Sequence, residues 1–241
     1  MNKDVTKNTA QPLLVVAADY PDAAGALRLA QQLKHLPVWL KIGLELFTAE
    51  GPDIVRNMVD ASFPVFLDLK FHDIPNTVYG AVSSAARLRV RMLTLHLSGG
   101  EAMCRAAVRA KHDFLAEDTA VDRYPLLMGV TVLTSQGGDE DAIRREVVNR
   151  ALAAKKWGLD GVVCSAKEAA AVKTACGDDF LCLCPGIRFA GTGGGDDQAR
   201  VLTPAQAVAQ GADFLVMGRP ITQAEDPAGA TSRALTEMRT P

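Results

Sequence analysis

The chain has no long hydrophobic run and no strong excess of charge of either sign. No apolar stretch approaches the roughly 20 residues that a helix needs to cross a bilayer. Residues 1 to 11 are polar and mixed in charge, without the apolar segment of a secretory leader. A net charge of −2 leaves no electrostatic footprint for nucleic acid or an anionic membrane surface. Cysteine is sparse: Cys104, Cys164, Cys176, Cys182 and Cys184 make an odd set without framework spacing. That points to a reducing cytoplasm rather than a disulfide-stapled secreted fold. Cys182 and Cys184 invite a metal or redox reading. On an extended strand, however, their Cα atoms lie roughly 6.5 Å apart and do not join without strain, so both read as small core residues. The expectation is a soluble, cytoplasmic protein.

With 241 residues, 48% of them hydrophobic, the chain can bury a large core. Short, near-continuous apolar runs predict strands at 13–19, 38–43, 65–70, 92–97, 126–133, 161–165, 180–185 and 214–218. Runs of that kind suit a parallel sheet covered by helices. Helical patterns fall between them, at 23–35, 76–89, 101–112, 167–175, 204–210 and 227–239. The clearest is a stripe of Ile143, Val147, Ala151 and Ala154, with Arg144, Arg145, Glu146 and Arg150 mostly outside it. Eight strand–helix units in about 250 residues is the arithmetic of a (β/α)8 TIM barrel. The expectation is a single α/β domain over 12–241, preceded by a polar tail. A doubly wound open sheet is the structural competitor. No linker divides the chain, and Gly191–Gly195 is its one low-complexity tract.

The most informative stretch runs from Phe66 to Thr77, Phe-Leu-Asp-Leu-Lys-Phe-His-Asp-Ile-Pro-Asn-Thr. It sets Asp68, Lys70 and Asp73 at the end of an apolar run. Side chains alternate along a strand, so Asp68 and Lys70 point the same way. Burying either charge alone is costly, and pairing offsets that cost. The pair reads as a structural salt bridge or as a reactive couple. The rest of the chain decides between them, because Asp19, Lys41, His96, Thr131 and Arg219 also fall at or near predicted carboxyl ends of strands. Barrel enzymes place their chemistry on that rim. The rim reads as an active site.

Two signals point to a phosphorylated ligand. Gly218-Arg219-Pro220 follows the last predicted strand, where barrels commonly bind anions with backbone N–H groups, and Arg219 adds a forked donor. Cys184-Pro185-Gly186-Ile187-Arg188 leads into the glycine-rich tract and Asp196-Asp197-Gln198. That tract lacks the glycine spacing of a dinucleotide fingerprint and reads better as a mobile lid folding over a phosphate. His96 is left open between a site-lining and a structural rim residue. His72 reads as structural, His35 and His112 as helix-surface residues, and Trp39 and Trp157 as packing anchors.

Together these blocks resemble the orotidine 5′-phosphate decarboxylase family: Asp-x-Lys-x-x-Asp-Ile-Pro-Asn-Thr at 68–77, Pro-Gly-Ile-Arg at 185–188, Asp-Asp-Gln at 196–198 and Gly-Arg-Pro at 218–220. The likeness spans Leu13 to Thr222; the tail to Gln11 and the lid sequence from Phe189 to Gly195 lie outside it. It implies a cofactor-free, metal-free homodimer converting orotidine 5′-monophosphate to uridine 5′-monophosphate and CO2 in de novo pyrimidine nucleotide biosynthesis. Lys70 would stabilise and protonate a carbanion at C6, beside Asp68 and Lys41. Asp73 and Thr77 would reach into the neighbouring subunit's site, and Asp19 and Lys41 would hold the ribose. Thr131 would lie by the pyrimidine, Thr134 would read the base amide, and Arg188, Gln198, Gly218 and Arg219 would serve the phosphate and its closure. Two rivals are a Mg²⁺-dependent sugar-phosphate decarboxylase or hexulose-phosphate synthase on the same barrel, and a non-catalytic phosphate-ligand sensor. Two lysines flanking Asp68 disfavour the first, because they repel a divalent ion. The intact set of Lys41, Asp68, Lys70 and Asp73 disfavours the second.

Overall fold

The structure is a computed structural model that describes residues 11–118, 125–132, 139–191 and 202–239. Eight parallel strands close into a barrel in chain order. They are β1 (Leu13–Ala17), β2 (Val38–Gly43), β3 (Val65–Phe71), β4 (Met92–His96), β5 (Leu126–Val130), β6 (Gly161–Val163), β7 (Leu181–Cys184) and β8 (Phe214–Met217). β1 pairs with both β2 and β8, which leaves no open edge and excludes the doubly wound sheet. The helices around it are α1 (Ala23–Leu33), α2 (Leu44–Glu50), α3 (Asp53–Asp60), α4 (Pro75–Arg87), α5 (Gly100–Glu117), α6 (Glu140–Trp157), α7 (Ala166–Cys176), α8 (Pro204–Ala209), α9 (Arg219–Thr222) and α10 (Pro227–Glu237).

Alternation along each strand sorts the apolar residues into two cores. The lumen is filled by Val15, Ala17, Trp39, Phe66, Met92, Leu126, Met128, Leu183, Phe214 and Val216. Trp39 meets the Phe214 ring edge-on at 5.3 Å, which is the packing role expected of it. The opposite faces of the strands pack against the helices. All five cysteines are buried in that outer layer as free thiols. Burial raises the Cys104 thiol to about 11. A hydrogen bond with Cys164 and burial push Cys182 up as well. Protonated at neutral pH, they are core residues rather than ligands or nucleophiles.

The amino-terminal end of the barrel is held by one device used twice. Asp160 precedes β6; its amide donates to Leu127 O at 3.1 Å, its carboxylate accepts from Leu127 N at 2.7 Å, and Lys111 of α5 donates to both its oxygens at 2.8 Å. Asp213 precedes β8 and repeats the pattern. Its amide donates to Cys182 O at 3.0 Å, its carboxylate accepts from Cys182 N at 2.7 Å, and Lys173 of α7 lies 2.7 Å away. Each carboxylate ties the start of its strand to the neighbouring strand before it, and to the helix that leads into that neighbour.

The sequence pattern overran several strand ends and missed α2 and α3. Those helices are short, split by Gly51-Pro52, and Gly51 takes a φ of 65° that favours glycine. Neither is long enough for the 3.6-residue period to stand out. Thr131, expected within β5, lies one residue past its end.

Lys111 is 8% exposed and Asp160 half-buried, so removing the ammonium leaves a partly desolvated carboxylate with Leu127 N–H as its remaining donor. Lys111→Ala should lower the unfolding free energy by about 2–3 kcal/mol in urea titrations. A loss below about 1 kcal/mol would mean that the pair is solvated and not structural.

Candidate active site

Beyond the lumen residues, the next inward positions turn from apolar to polar or charged on one half of the barrel. On β1 the series Val15, Ala17 leads to Asp19; on β2 Trp39 leads to Lys41; on β3 Phe66 leads to Asp68; on β4 Met92 leads to Thr94. The side chains form a line of alternating sign. Lys41 Nζ lies 2.7 Å from Asp19 Oδ1 and 3.8 Å from Asp68 Oδ2. Lys70 Nζ donates to both Asp68 oxygens at 2.9 Å. The Lys41 and Asp68 side chains are only 10% and 14% exposed, whereas Lys70 at 34% still faces the mouth. Opposite charges at these separations attract and hold one another in place.

Asp68 and Lys70 meet, but not through regular alternation. β3 pairs with β4 at Leu67↔Leu93 and next at Phe71↔Leu95, so Asp68, Leu69 and Lys70 stand opposite Thr94 alone. Lys70 accordingly takes a φ of 49°, a left-handed conformation that few side chains adopt. Thr94, buried at 1% exposure, spans the widened segment: its hydroxyl accepts from Lys70 N at 2.9 Å and donates to Asp68 Oδ1 at 2.9 Å. Gly43, at the end of β2, leaves room for the Lys41–Asp19 pair. A Cβ there would sit 2.9 Å from Lys41 Nζ and 3.1 Å from Asp19 Oδ1. Sequence reasoning identified neither residue, since threonine in a strand and glycine at its end are both commonplace.

The remaining expected residues surround this line. Asp73 is exposed and caps its own loop by accepting from Ile74 N at 2.6 Å. Thr77 is exposed on the first turn of α4. Neither meets the Asp68–Lys70 pair within the hydrogen bonds and ion pairs of this chain. Ile74, next to Asp73 in the chain, is 66% exposed, and Leu44 at the start of α2 is 56% exposed. Thr131 is fully buried and spends its hydroxyl proton on Val163 O at 2.7 Å, while its carbonyl accepts from Arg150 at 2.5 Å.

On the other half of the rim, Gly218 starts α9, and a Cβ built on it would lie 3.8 Å from Asp19 Oδ2. Gly218 thus borders the same mouth as the charged line. Arg219 is exposed, and Arg188 is held by its amide donating to Leu202 O at 3.1 Å, beside the parallel bridge Ile187↔Leu202. Phe189 is buried beneath the Arg233 guanidinium, 4.2 Å from its ring centre. Gln198, Asp196, Asp197, Thr134 and the tract after Gly191 lie outside the described residues.

His96 ends β4 and stacks on His72 at 5.3 Å, with Ser98 Oγ 2.6 Å from its Nδ1. Burial, then the neighbouring His72, Arg150 and Lys70, hold His96 below its ordinary value of 6.5. The two imidazoles form a stacked rim pair, a contact compatible with the structural reading of His72.

Fold and rim together give the layout of a (β/α)8-barrel enzyme, with a line of alternating charges on the rim bordered by α9, which opens on Arg219 after the last strand. A family model described as the orotidine 5′-phosphate decarboxylase / HUMPS family matches residues 12–234. The chain belongs to that family. An orotidine 5′-phosphate decarboxylase of Nitratidesulfovibrio vulgaris (strain DP4) is 53% identical over 230 residues, covering 93% of this chain and 97% of the relative. One from Teredinibacter turnerae is 48% identical, covering 95% and 98%. The solved orotidine 5′-phosphate decarboxylase of Lactobacillus acidophilus superposes with a TM-score of 0.82 at 33% identity, covering 95% and 100%.

A histidine held below its ordinary value destabilises the fold in acid. Below about pH 6.5 the unfolded chain takes up a proton that the folded chain refuses, so stability falls as pH falls. The His96→Asn variant should therefore lose less stability than the parent between about pH 7 and 5. Parallel stability profiles would contradict this account of His96.

Proposed function

We propose that this chain decarboxylates orotidine 5′-monophosphate to uridine 5′-monophosphate and CO2 in pyrimidine nucleotide synthesis, in the cytoplasm. The observation that carries the reading is the Asp19–Lys41–Asp68–Lys70 line, which ends in an ammonium facing an open mouth. The named relatives add the substrate.

Breaking the bond between C6 and the carboxylate leaves an electron pair in the plane of the pyrimidine ring, with no conjugated carbonyl to receive it. The catalyst must stabilise that pair electrostatically and then protonate it. Lys70 does both: its ammonium faces the developing charge, then gives C6 a proton and is left as an amine that water reprotonates. Asp68 fixes the ammonium before substrate arrives, so little reorganisation is needed during reaction. Asp68 also lies near the departing carboxylate. Two like charges about 4 Å apart at an effective dielectric near 20 repel by about 4 kcal/mol. That is worth about three powers of ten in rate, before the lysines screen it. Repulsion is a contributor, and the larger share comes from carbanion stabilisation and from phosphate binding that closes the site.

Asp19 and Lys41 hold the ribose hydroxyls, Thr131 borders the pyrimidine, and Arg188, Gln198, Gly218 and Arg219 take the phosphate. Thr134 reads the base amide. Asp73 and Thr77 act in the site of a second copy of this chain, completing the alternation with a further carboxylate. Their exposure, together with that of the adjoining Ile74 side chain, supports a homodimer with shared sites. No described helix is long and apolar enough to cross a membrane. A Mg²⁺-assisted reaction is disfavoured by chemistry, because ammonium groups at 2.9 and 3.8 Å already occupy both oxygens of Asp68.

The direct test is the fall in ultraviolet absorbance when orotidine 5′-monophosphate is added, with and without EDTA. We expect metal-independent turnover; none, or turnover abolished by EDTA, would overturn the reading. Lys70→Ala should abolish turnover while still binding uridine 5′-monophosphate. Mixing it with an inactive Asp73→Ala variant should restore about a quarter of the activity by random reassortment of subunits. No recovery after verified subunit exchange would place Asp73 in its own chain's site.

A further inference from the structure

We infer that Thr94 is a positioning residue, whose single hydroxyl sets the geometry of the Asp68–Lys70 pair. The inference rests on the reading of Lys70 as proton donor given above.

The ladder between β3 and β4 is irregular. Between Leu67↔Leu93 and Phe71↔Leu95, three residues of β3 face one residue of β4. A regular parallel ladder cannot serve the extra backbone groups of the longer strand. A backbone N–H with no partner at this depth would cost as much as a lost hydrogen bond. The Lys70 amide finds its partner in the Thr94 side chain, at 2.9 Å, rather than in a β4 carbonyl. The same oxygen lies 2.9 Å from Asp68 Oδ1.

Hydrogen-bond polarity at this oxygen is determined by its neighbours. The Lys70 amide can only donate, so it takes a lone pair of Oγ1. An ionised Asp68 can only accept, so the hydroxyl proton points at Oδ1. Lys70 Nζ closes the circuit by donating back to both oxygens of Asp68. Lys70 is thus bound at both ends of the residue: its amide to Thr94, and its ammonium to a carboxylate that Thr94 also orients. Its left-handed φ of 49° is a conformation that persists only when the surroundings over-determine it. Thr94 is the one residue of β4 opposite the distortion, and at 1% exposure no bulk water can take its place.

Without the hydroxyl, the Lys70 amide and one lone pair of Asp68 lose their partner together. The backbone at Lys70 is then free to relax toward an ordinary conformation, which moves the ammonium. Displacement of a reacting group by about 1 Å can cost about a hundredfold in rate. Substrate contacts made by Asp19, Lys41 and the phosphate side are untouched, so the loss falls on kcat.

The test compares Thr94→Val, which keeps shape and removes the hydroxyl, with Thr94→Ser, which keeps the hydroxyl. Thr94→Ala serves as a second hydroxyl-free variant if valine impairs folding, and melting temperatures are recorded for all. The parent enzyme is assayed first, and absence of decarboxylation there sinks the functional reading rather than this inference. With an active parent, Thr94→Val and Thr94→Ala should lower kcat by about tenfold to a hundredfold, with KM changed less than about threefold. Exchange of the C6 hydrogen of uridine 5′-monophosphate for deuterium in D2O reads proton transfer by Lys70 without CO2 loss. It should slow by a similar factor. Thr94→Ser should recover both rates to within about threefold of the parent. Unchanged kcat in the hydroxyl-free variants, or a serine variant as impaired as valine, would overturn the inference; the latter outcome assigns Thr94 to packing.

Discussion

Asp68 holds two ammonium groups at once, Lys41 at 3.8 Å and Lys70 at 2.9 Å, in a pocket where its own side chain is 14% exposed. Taken out of water alone, any of the three charges would be expensive; together they neutralise most of that cost. The arrangement is directional because exposure increases toward the mouth on the Lys70 side. The buried lysine anchors the carboxylate, and the carboxylate anchors the lysine that faces the mouth. The proton donation proposed for Lys70 calls for an ammonium that is both stationary and accessible, and this line of charges favours both.

The barrel divides these demands between its two ends. At the floor, Asp160 and Asp213 each accept from a strand amide and from a helix lysine, which ties sheet and helices together. At the rim the same residue types are not spent on holding helices. Apolar residues fill the lumen up to Ala17, Trp39, Phe66 and Met92, and the inward positions above them carry the charges. The dry layer beneath raises the strength of every interaction above it. It also gives the charged residues a rigid base. The distortion of β3 is confined to the segment where rigidity gives way to function, and regular pairing resumes at Phe71.

The barrel was legible because its strands are buried on both faces and read as short apolar runs at even spacing. The rim was legible for the complementary reason: charges such as Lys41 and Asp68 stand out at the ends of apolar strands. Thr94 and Gly43 carried no such contrast. A threonine in Met92–His96 is an ordinary strand residue, and its importance arises from a register shift that no pattern along β3 alone encodes. Lys70 shows the same limit. Period-two alternation gave the correct neighbour for Asp68 but the wrong backbone, since the lysine reaches it from a left-handed conformation. The helices α2 and α3 were missed because Gly51-Pro52 cuts their segment into lengths too short for a helical period.

A crystal structure with uridine 5′-monophosphate, or an analogue carrying a negative group at C6, bears most directly on the central claim. The account predicts Lys70 Nζ within about 3–3.5 Å of C6, still bonded to Asp68, with Asp73 of a second chain arriving beside it. A pyrimidine bound with that nitrogen remote from C6, and with no carboxylate contributed by another copy, would contradict it.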